Sequence, residues 1–125
     1  MGGDTIAAAE RSVKILRSDF SPPYNLLSLA DGESVEFTVQ DIKIGTAERE
    51  IVERGRRITE TIKIARIFLP PGEFVFGTPY LDVIAGRLIE TLQALNTGMK
   101  KPFRLKLTAH GVEPSKWYEP EVTPL

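Results

Sequence analysis

The chain contains no cysteine, which excludes disulfide bonds, thiolate nucleophiles and cysteine-ligated zinc. That fits an intracellular protein, of the cytoplasm or of an infected host cell if virus-encoded. A single histidine, His110, excludes a histidine-rich metal site within one chain. No apolar run approaches the roughly 18 residues that cross a bilayer, so no membrane partner is expected. The N-terminus lacks the basic, then apolar, then small-residue layout of a secretion signal. Met1-Gly2 invites comparison with a myristoylation site, but Ile6 stands where that motif takes Ser or Thr. Gly72, Gly77 and Gly86 lack the spacing of phosphate-cradling loops. What remains is a 125-residue chain, 42% apolar and 26% charged, which suits one globular domain.

The net charge of −1 conceals an uneven distribution. Lys43 to Arg66 holds seven basic and four acidic residues, or +3; Gly98 to Tyr118 holds five basic residues and Glu113, or +4. The rest of the chain therefore carries −8. Such segregation suggests a basic face on an acidic body, a footprint suited to phosphates.

Residues Thr5 to Phe20 read as an amphipathic helix, with Ile6, Ala9, Val13, Leu16 and Phe20 on one face and Asp4 or Thr5 as cap. Ser21-Pro22-Pro23 ends it, and Tyr24 to Ala30 forms an apolar connector before the Asp31-Gly32 turn. Residues 1–30 thus form an N-terminal appendage to a body at 31–125. Val35, Phe37 and Val39 alternate at odd positions, and Ile42 and Ile44 continue at even ones. A period of two cannot change parity without an inserted residue, so a bulge near Gln40-Asp41 is expected. Gly45 to Arg57 reads as a charged loop with Gly55 at its tip. A second strand follows from Ile58 to Leu69, its parity changing near Ala65-Arg66.

Pro70-Pro71-Gly72 marks a turn, after which Phe74 and Phe76 are assigned, with Phe37 and Phe103, to the interior. A helix is then predicted over Thr78 to Gly98. Thr78 caps it, Pro79 takes the first position and Asp82 favours the positive end of its dipole. Leu81, Ile84 or Ala85, Leu88, Leu92 and Leu95 form its stripe, and Tyr80 packs at its start. Beyond it, Phe103, Leu105, Leu107 and Ala109 alternate with Arg104, Lys106, Thr108 and His110 as a half-buried strand. A short last strand carries Lys116, Trp117 and Tyr118, with Pro120 and Pro124 limiting its run.

The order is strand, strand, strand, helix, strand, strand, with the first two strands long and bent. It resembles the OB-fold, a five-stranded Greek-key barrel, over Val35 to Val122. The run GTPYLDV, the helix and FRLKLTAHGVEPSKWYEPEV are similar to small single-stranded-DNA-binding proteins of phage and archaeal-virus type. The expected fold class is therefore mainly β, a five-stranded barrel with one internal helix and an additional N-terminal helix. The resemblance implies binding of single strands on the face of strands two and three, with the flanking loops helping.

No catalytic constellation is present, so no enzyme activity, cofactor or metal is expected. His110 falls outward at a strand end, and Ser34 and Ser115 have no identifiable base nearby. Binding of single strands needs basic side chains along the phosphate path and aromatics on which bases stack. The candidates are Lys43, Arg54, Arg56, Arg57, Lys63, Arg66, Arg104, Lys106, Lys116, Trp117 and Tyr118. Trp117 and Tyr118 are adjacent in an extended segment and point to opposite faces, so at most one lies in the core. The expected partner is single-stranded DNA, with RNA left open and a homodimer or other homo-oligomer expected to add binding area. The alternative is a viral or prophage structural or protein-interaction module, docking through the N-terminal helix and connector.

Overall fold

The computed structural model describes residues 11–125. Among them are seven strands and one helix: β1 (Arg11–Ser18), β2 (Ser34–Val39), β3 (Asp41–Glu53), β4 (Arg56–Phe68), β5 (Tyr80–Val83), α1 (Gly86–Gly98), β6 (Phe103–His110) and β7 (Trp117–Pro124). They form two antiparallel sheets, ordered β1-β3-β4-β5 and β2-β6-β7. Only Gln40 separates β2 from β3, so the chain passes from one sheet to the other without a loop. The result is mainly β and barrel-like. Its strand count and order differ from the expected five, because one strand is added at the front and the first expected strand divides into two.

The core explains that division. Phe37 and Val39 on β2, then Ile42 on β3, are all buried, which requires the shift in parity at Gln40. Gln40 N–H donates to Phe68 C=O at 2.8 Å, tying the bend to β4. On β6 every second residue (Phe103, Leu105, Leu107, Ala109) is fully buried. The helix closes the interior with Leu88, Ile89 and Leu92, and Leu95 packs beside them. Each such leucine stabilises the fold by roughly 1.5–3 kcal/mol through burial.

The expected N-terminal helix is not seen. Arg11–Ser18 is strand β1, and Thr5 to Glu10 lie outside the described residues. Val13 and Ile15 are β-branched and pair across to Ile51 and Arg49 of β3, a use that a thin helical stripe could not match. The Gly45 to Arg57 loop is corrected too. The β3–β4 ladder runs unbroken from Asp41↔Phe68 to Glu53↔Arg56, leaving only Arg54-Gly55 as the turn. Charges along it are cross-strand partners: Arg49 with Glu60 at 2.5 Å, Arg57 with Glu50 at 3.5 Å, and Arg17 with Glu48 at 2.6 Å.

No bulge interrupts β4 at Ala65-Arg66. The change in hydrophobic parity arises because both faces are buried there. Ala65 and Ile67 face the core, while Arg66 lies under the Asp19–Tyr24 segment, which crosses the outside of the sheet. Asp19 N–H donates to Thr46 C=O at 3.0 Å, and its Oδ2 accepts from Thr46 N–H at 2.8 Å. Gly45 makes this close crossing possible, since a Cβ there would lie 2.7 Å from Asp19 Oδ2 and 3.0 Å from its Cβ. Gly45→Val is therefore expected to lower stability by about 1–3 kcal/mol in a urea melt, through overpacking under the crossing segment.

The predicted helix from Thr78 begins later, at Gly86, with Ala85 as N-cap and no side-chain cap. Tyr80–Val83 is a strand: Leu81 and Val83 enter the core opposite Ile67 and Ala65, and Asp82 points to the other face. Thr78 hydroxyl instead donates to Tyr80 C=O at 2.7 Å. Beyond β5, residues Asn25–Leu27 add a short parallel bridge, with Leu27 N–H to Asp82 C=O and Asp82 N–H to Asn25 C=O, both 2.8 Å. The chain then reaches the second sheet, where Gly32 N–H meets Ala109 C=O. This connector covers the gap between the sheets.

Candidate nucleic-acid interface

Past the core, the distal halves of β3 and β4 with β1 form a three-stranded arm. Nine residue steps separate the Ile44↔Ala65 pair from the tip pair Glu53↔Arg56, so this stretch of ladder is about 30 Å long at the ordinary strand rise. Arg54 and Gly55 make its turn with φ of 52° and 75°, a two-residue hairpin connection with both residues left-handed. Arg54, Arg56 and Arg57 are exposed there, and Arg54 and Arg56 have no ion pair among the described residues. On β4, Arg57, Thr59, Thr61 and Lys63 alternate along one face and are all exposed. The opposite face carries Val13, Ile15, Ile51, Ile58 and Ile62, with Arg49 and Glu60 paired between them. The arm is amphipathic.

Along its apolar face lies a groove of about 950 Å³. Val13 and Arg49 of the arm, Leu26 to Ser28 of the connector, Ala85 to Leu88 at the helix start, and Lys116, Trp117 and Tyr118 line it. The two aromatics divide as the alternation requires. Tyr118 packs against the core, and burial raises its hydroxyl pKa above the ordinary value, an effect partly opposed by a hydrogen bond to the backbone of Leu29. Trp117 is 47% exposed and stacks on His110 at 4.5 Å with 25° between the planes. His110 Nε2 lies 2.8 Å from Glu119 Oε1, so the imidazole is held from both sides. Arg87, exposed in the first turn of α1, is a groove cation that the sequence reading overlooked; its only signal was its position off the apolar stripe.

Several expected site residues lie elsewhere. Arg66 is buried, its Nε 2.6 Å from Asp82 Oδ1 and its Nη2 3.0 Å from Oδ2. Its guanidinium stacks 4.0 Å from the Tyr80 ring centroid and 5.3 Å from that of Phe20, and its Nη1 donates to Ser21 C=O at 3.0 Å. Burial alone would lower the Arg66 pKa, but hydrogen bonding and charge from Asp82 more than offset it, and the net direction is upward. This group holds the crossing segment and is closed to a ligand. Asp82, in turn, is no helix-dipole acid but the buried partner of that pair.

The expected basic face on β6 is neutralised. Arg104 contacts Glu36 and Glu73, each at 3.3 Å, and Thr38 at 3.0 Å; Lys106 lies 4.0 Å from Glu121. Lys116 donates to Leu29 C=O at 2.6 Å. Lys43 is exposed but sits near the other end of the ladder, 5.8 Å over the Phe68 ring. Phe74 and Phe76, assigned to the interior, are 61% and 53% exposed, because Val75 between them takes the buried position. The fold thus gathers Arg54, Arg56, Arg57 and Lys63 on the arm, and Lys116, Trp117 and Tyr118 in the groove beside it.

Among the described residues no group of three or more His, Asp or Glu side chains converges as a metal site, and no helix is long and apolar enough to cross a membrane. Compared with known proteins, the chain matches no family model, no curated protein and no solved structure.

Proposed function

We propose that this chain binds single-stranded DNA with little sequence preference and performs no chemistry. The observation that carries this reading is the arm: a long hairpin whose tip residues Arg54 and Arg56 have no ion pair among the described residues, beside a groove that holds a half-exposed tryptophan. Cations along a path with an aromatic platform are what a sequence-tolerant single-strand binder needs. The architecture supports the same reading. Joined across Gln40, β2 and β3 count as one long bent strand, and the order from Ser34 becomes strand, strand, strand, helix, strand, strand. That supports an OB-fold variant with an added N-terminal strand. RNA remains an alternative strand for the same chemistry.

Fluorescence anisotropy of labelled single-stranded, double-stranded and RNA oligonucleotides at two salt concentrations tests it. Single-stranded DNA is expected to bind, with affinity falling steeply as salt rises. Trp117→Ala should weaken binding by about fivefold or more through lost stacking, with little change in melting temperature because half the indole is already exposed. No binding at low salt would overturn the proposal.

One observation favours a second reading as an assembly module. The apolar face of the arm leaves Val13 and Ile58 40% and 47% exposed, more than a binder of phosphates alone requires. A defined oligomer in sedimentation, with no salt-sensitive nucleic-acid binding, would favour that reading.

A further inference from the structure

The outer strands of a sheet expose backbone donors and acceptors, and an uncovered edge is a template for a further strand. The two sheets have four edges, formed by β1, β5, β2 and β7. On β5 the connector takes the outer groups of Asp82: its N–H donates to Asn25 C=O and its C=O accepts from Leu27 N–H, both at 2.8 Å. On β2 the outward Thr38 N–H donates to Glu73 Oε1 at 2.6 Å. β7 carries Pro120 and Pro124, which have no N–H to offer. No described residue covers β1 on the side away from β3.

The pairing fixes which backbone groups of β1 point outward. A two-residue turn makes Glu53↔Arg56 a hydrogen-bonded pair, so Glu53, Ile51 and Arg49 turn their N–H and C=O groups to β4, and Val52, Glu50 and Glu48 turn theirs to β1. The bond from Asp19 N–H to Thr46 C=O continues that parity. Ser12 and Lys14, opposite Val52 and Glu50, therefore face β3 with their backbone groups, and Val13 and Ile15 point theirs outward. A strand added here would hydrogen-bond to Val13 and Ile15. It would leave Lys14 in the non-hydrogen-bonded pair, where opposed side chains come closest. Lys14 is exposed and has no ion pair among the described residues, while Glu50 across from it is bound to Arg57.

Charge selects the strand. β1 holds Arg11, Lys14 and Arg17, three positions apart, and no acid. Every antiparallel register of β1 on another β1 that overlaps most of the strand puts two of these positions opposite or diagonal, which disfavours a second copy. A DNA strand does not match the edge either, since its phosphodiester backbone has no donor for the outward C=O groups. We propose that the outer edge of β1 takes up an extended peptide strand of a partner protein, one that alternates acidic and apolar residues. Its backbone bonds to Val13 and Ile15, and its carboxylates lie beside Lys14. Its apolar side chains fall on the Val13 side, along which the groove with Leu26, Leu27 and Trp117 runs.

The test is fluorescence anisotropy with a fluorescein-labelled Glu-Val-Glu-Val-Glu-Val peptide. The wild type should bind it about tenfold or more tightly than a Lys-Val-Lys-Val-Lys-Val peptide. The valines would pair with Val13 and Ile15, so methylating the valine nitrogens should weaken binding by about tenfold or more, whereas methylating the glutamate nitrogens should not. Val13→Pro removes an outward N–H and leaves the β1–β3 ladder intact, so it should cost about tenfold or more in affinity at an unchanged melting temperature. Val13→Ala keeps that N–H and should lose less. Were Val13→Pro to unfold the chain, the two methylated peptides would decide the matter on the wild type alone. No binding of the Glu-Val peptide, or equal binding of its two methylated forms, would overturn the proposal. A wild-type dimer that Val13→Pro splits into monomers would give the edge to a second copy and would also overturn it.

Discussion

Arg66→Ala should destabilise the protein by about 3–5 kcal/mol, the range for removing one partner of a buried ion pair. Against a total stability of about 5–15 kcal/mol for a domain of this size, such a loss would leave a marginal fold. The cause is specific. Asp82 is fully buried, and without Arg66 its carboxylate would keep, among the described residues, only the Asn25 N–H at 2.9 Å. The carbonyl of Ser21 would lose its donor, that of Pro23 would keep only the Tyr80 hydroxyl among the described residues, and Phe20 and Tyr80 would lose the cation between them. A urea melt measures the total loss. The double variant Arg66→Met/Asp82→Leu separates its parts, since it removes the stranded charge but not the stranded Ser21 carbonyl. Recovery of more than half the loss would place the cost in the carboxylate. Little recovery would place it in the crossing segment. A near-neutral Arg66→Ala would show that neither is held by this pair.

The same pair shows what sequence patterns could convey. Thr78, Pro79 and Asp82 carry the chemistry of a helix start, and local rules read them so. Asp82 owes its role to Arg66, sixteen positions earlier, and the alternation of Leu81 and Val83 was the weaker local signal that tertiary pairing favoured. Parity alone placed the bend at Gln40, the buried set on β6 and the opposed faces of Trp117 and Tyr118, but it also read a second bend at Ala65-Arg66 where the ladder runs straight on; Gly55 at the hairpin tip came from its residue type. Alternation groups residues by face but does not say which face is inward, so Phe74 and Phe76 were put inside while Val75 took that place. Arg104 and Lys106 do point outward. Their neutralising acids come from Glu36, Glu73 and Glu121, on other elements, and no local pattern reveals such a match.

The arm should account for much of the salt dependence of binding. Each cation that neutralises a phosphate on a single strand contributes about 0.7 to the log–log salt slope. Replacing Arg54, Arg56 and Arg57 should therefore flatten it by about 2, and across a roughly fourfold rise in salt these three contacts cost the wild type about twentyfold in affinity. Arg54→Asn/Arg56→Ala/Arg57→Ala is the suitable variant, since Asn accepts the φ of 52° that Arg54 adopts. Stability should be unchanged or slightly higher, because only the exposed Arg57–Glu50 pair is lost, and such pairs are worth about 0–1 kcal/mol. The result separates the arm from Trp117 by mechanism. The contribution of the arginine tip is expected to act through counterions and vanish at high salt, whereas that of Trp117 should act through stacking and persist. A triple variant with an unaltered slope would remove the arm from the binding path and leave its apolar face, with Val13 and Ile58, as the reason for its length.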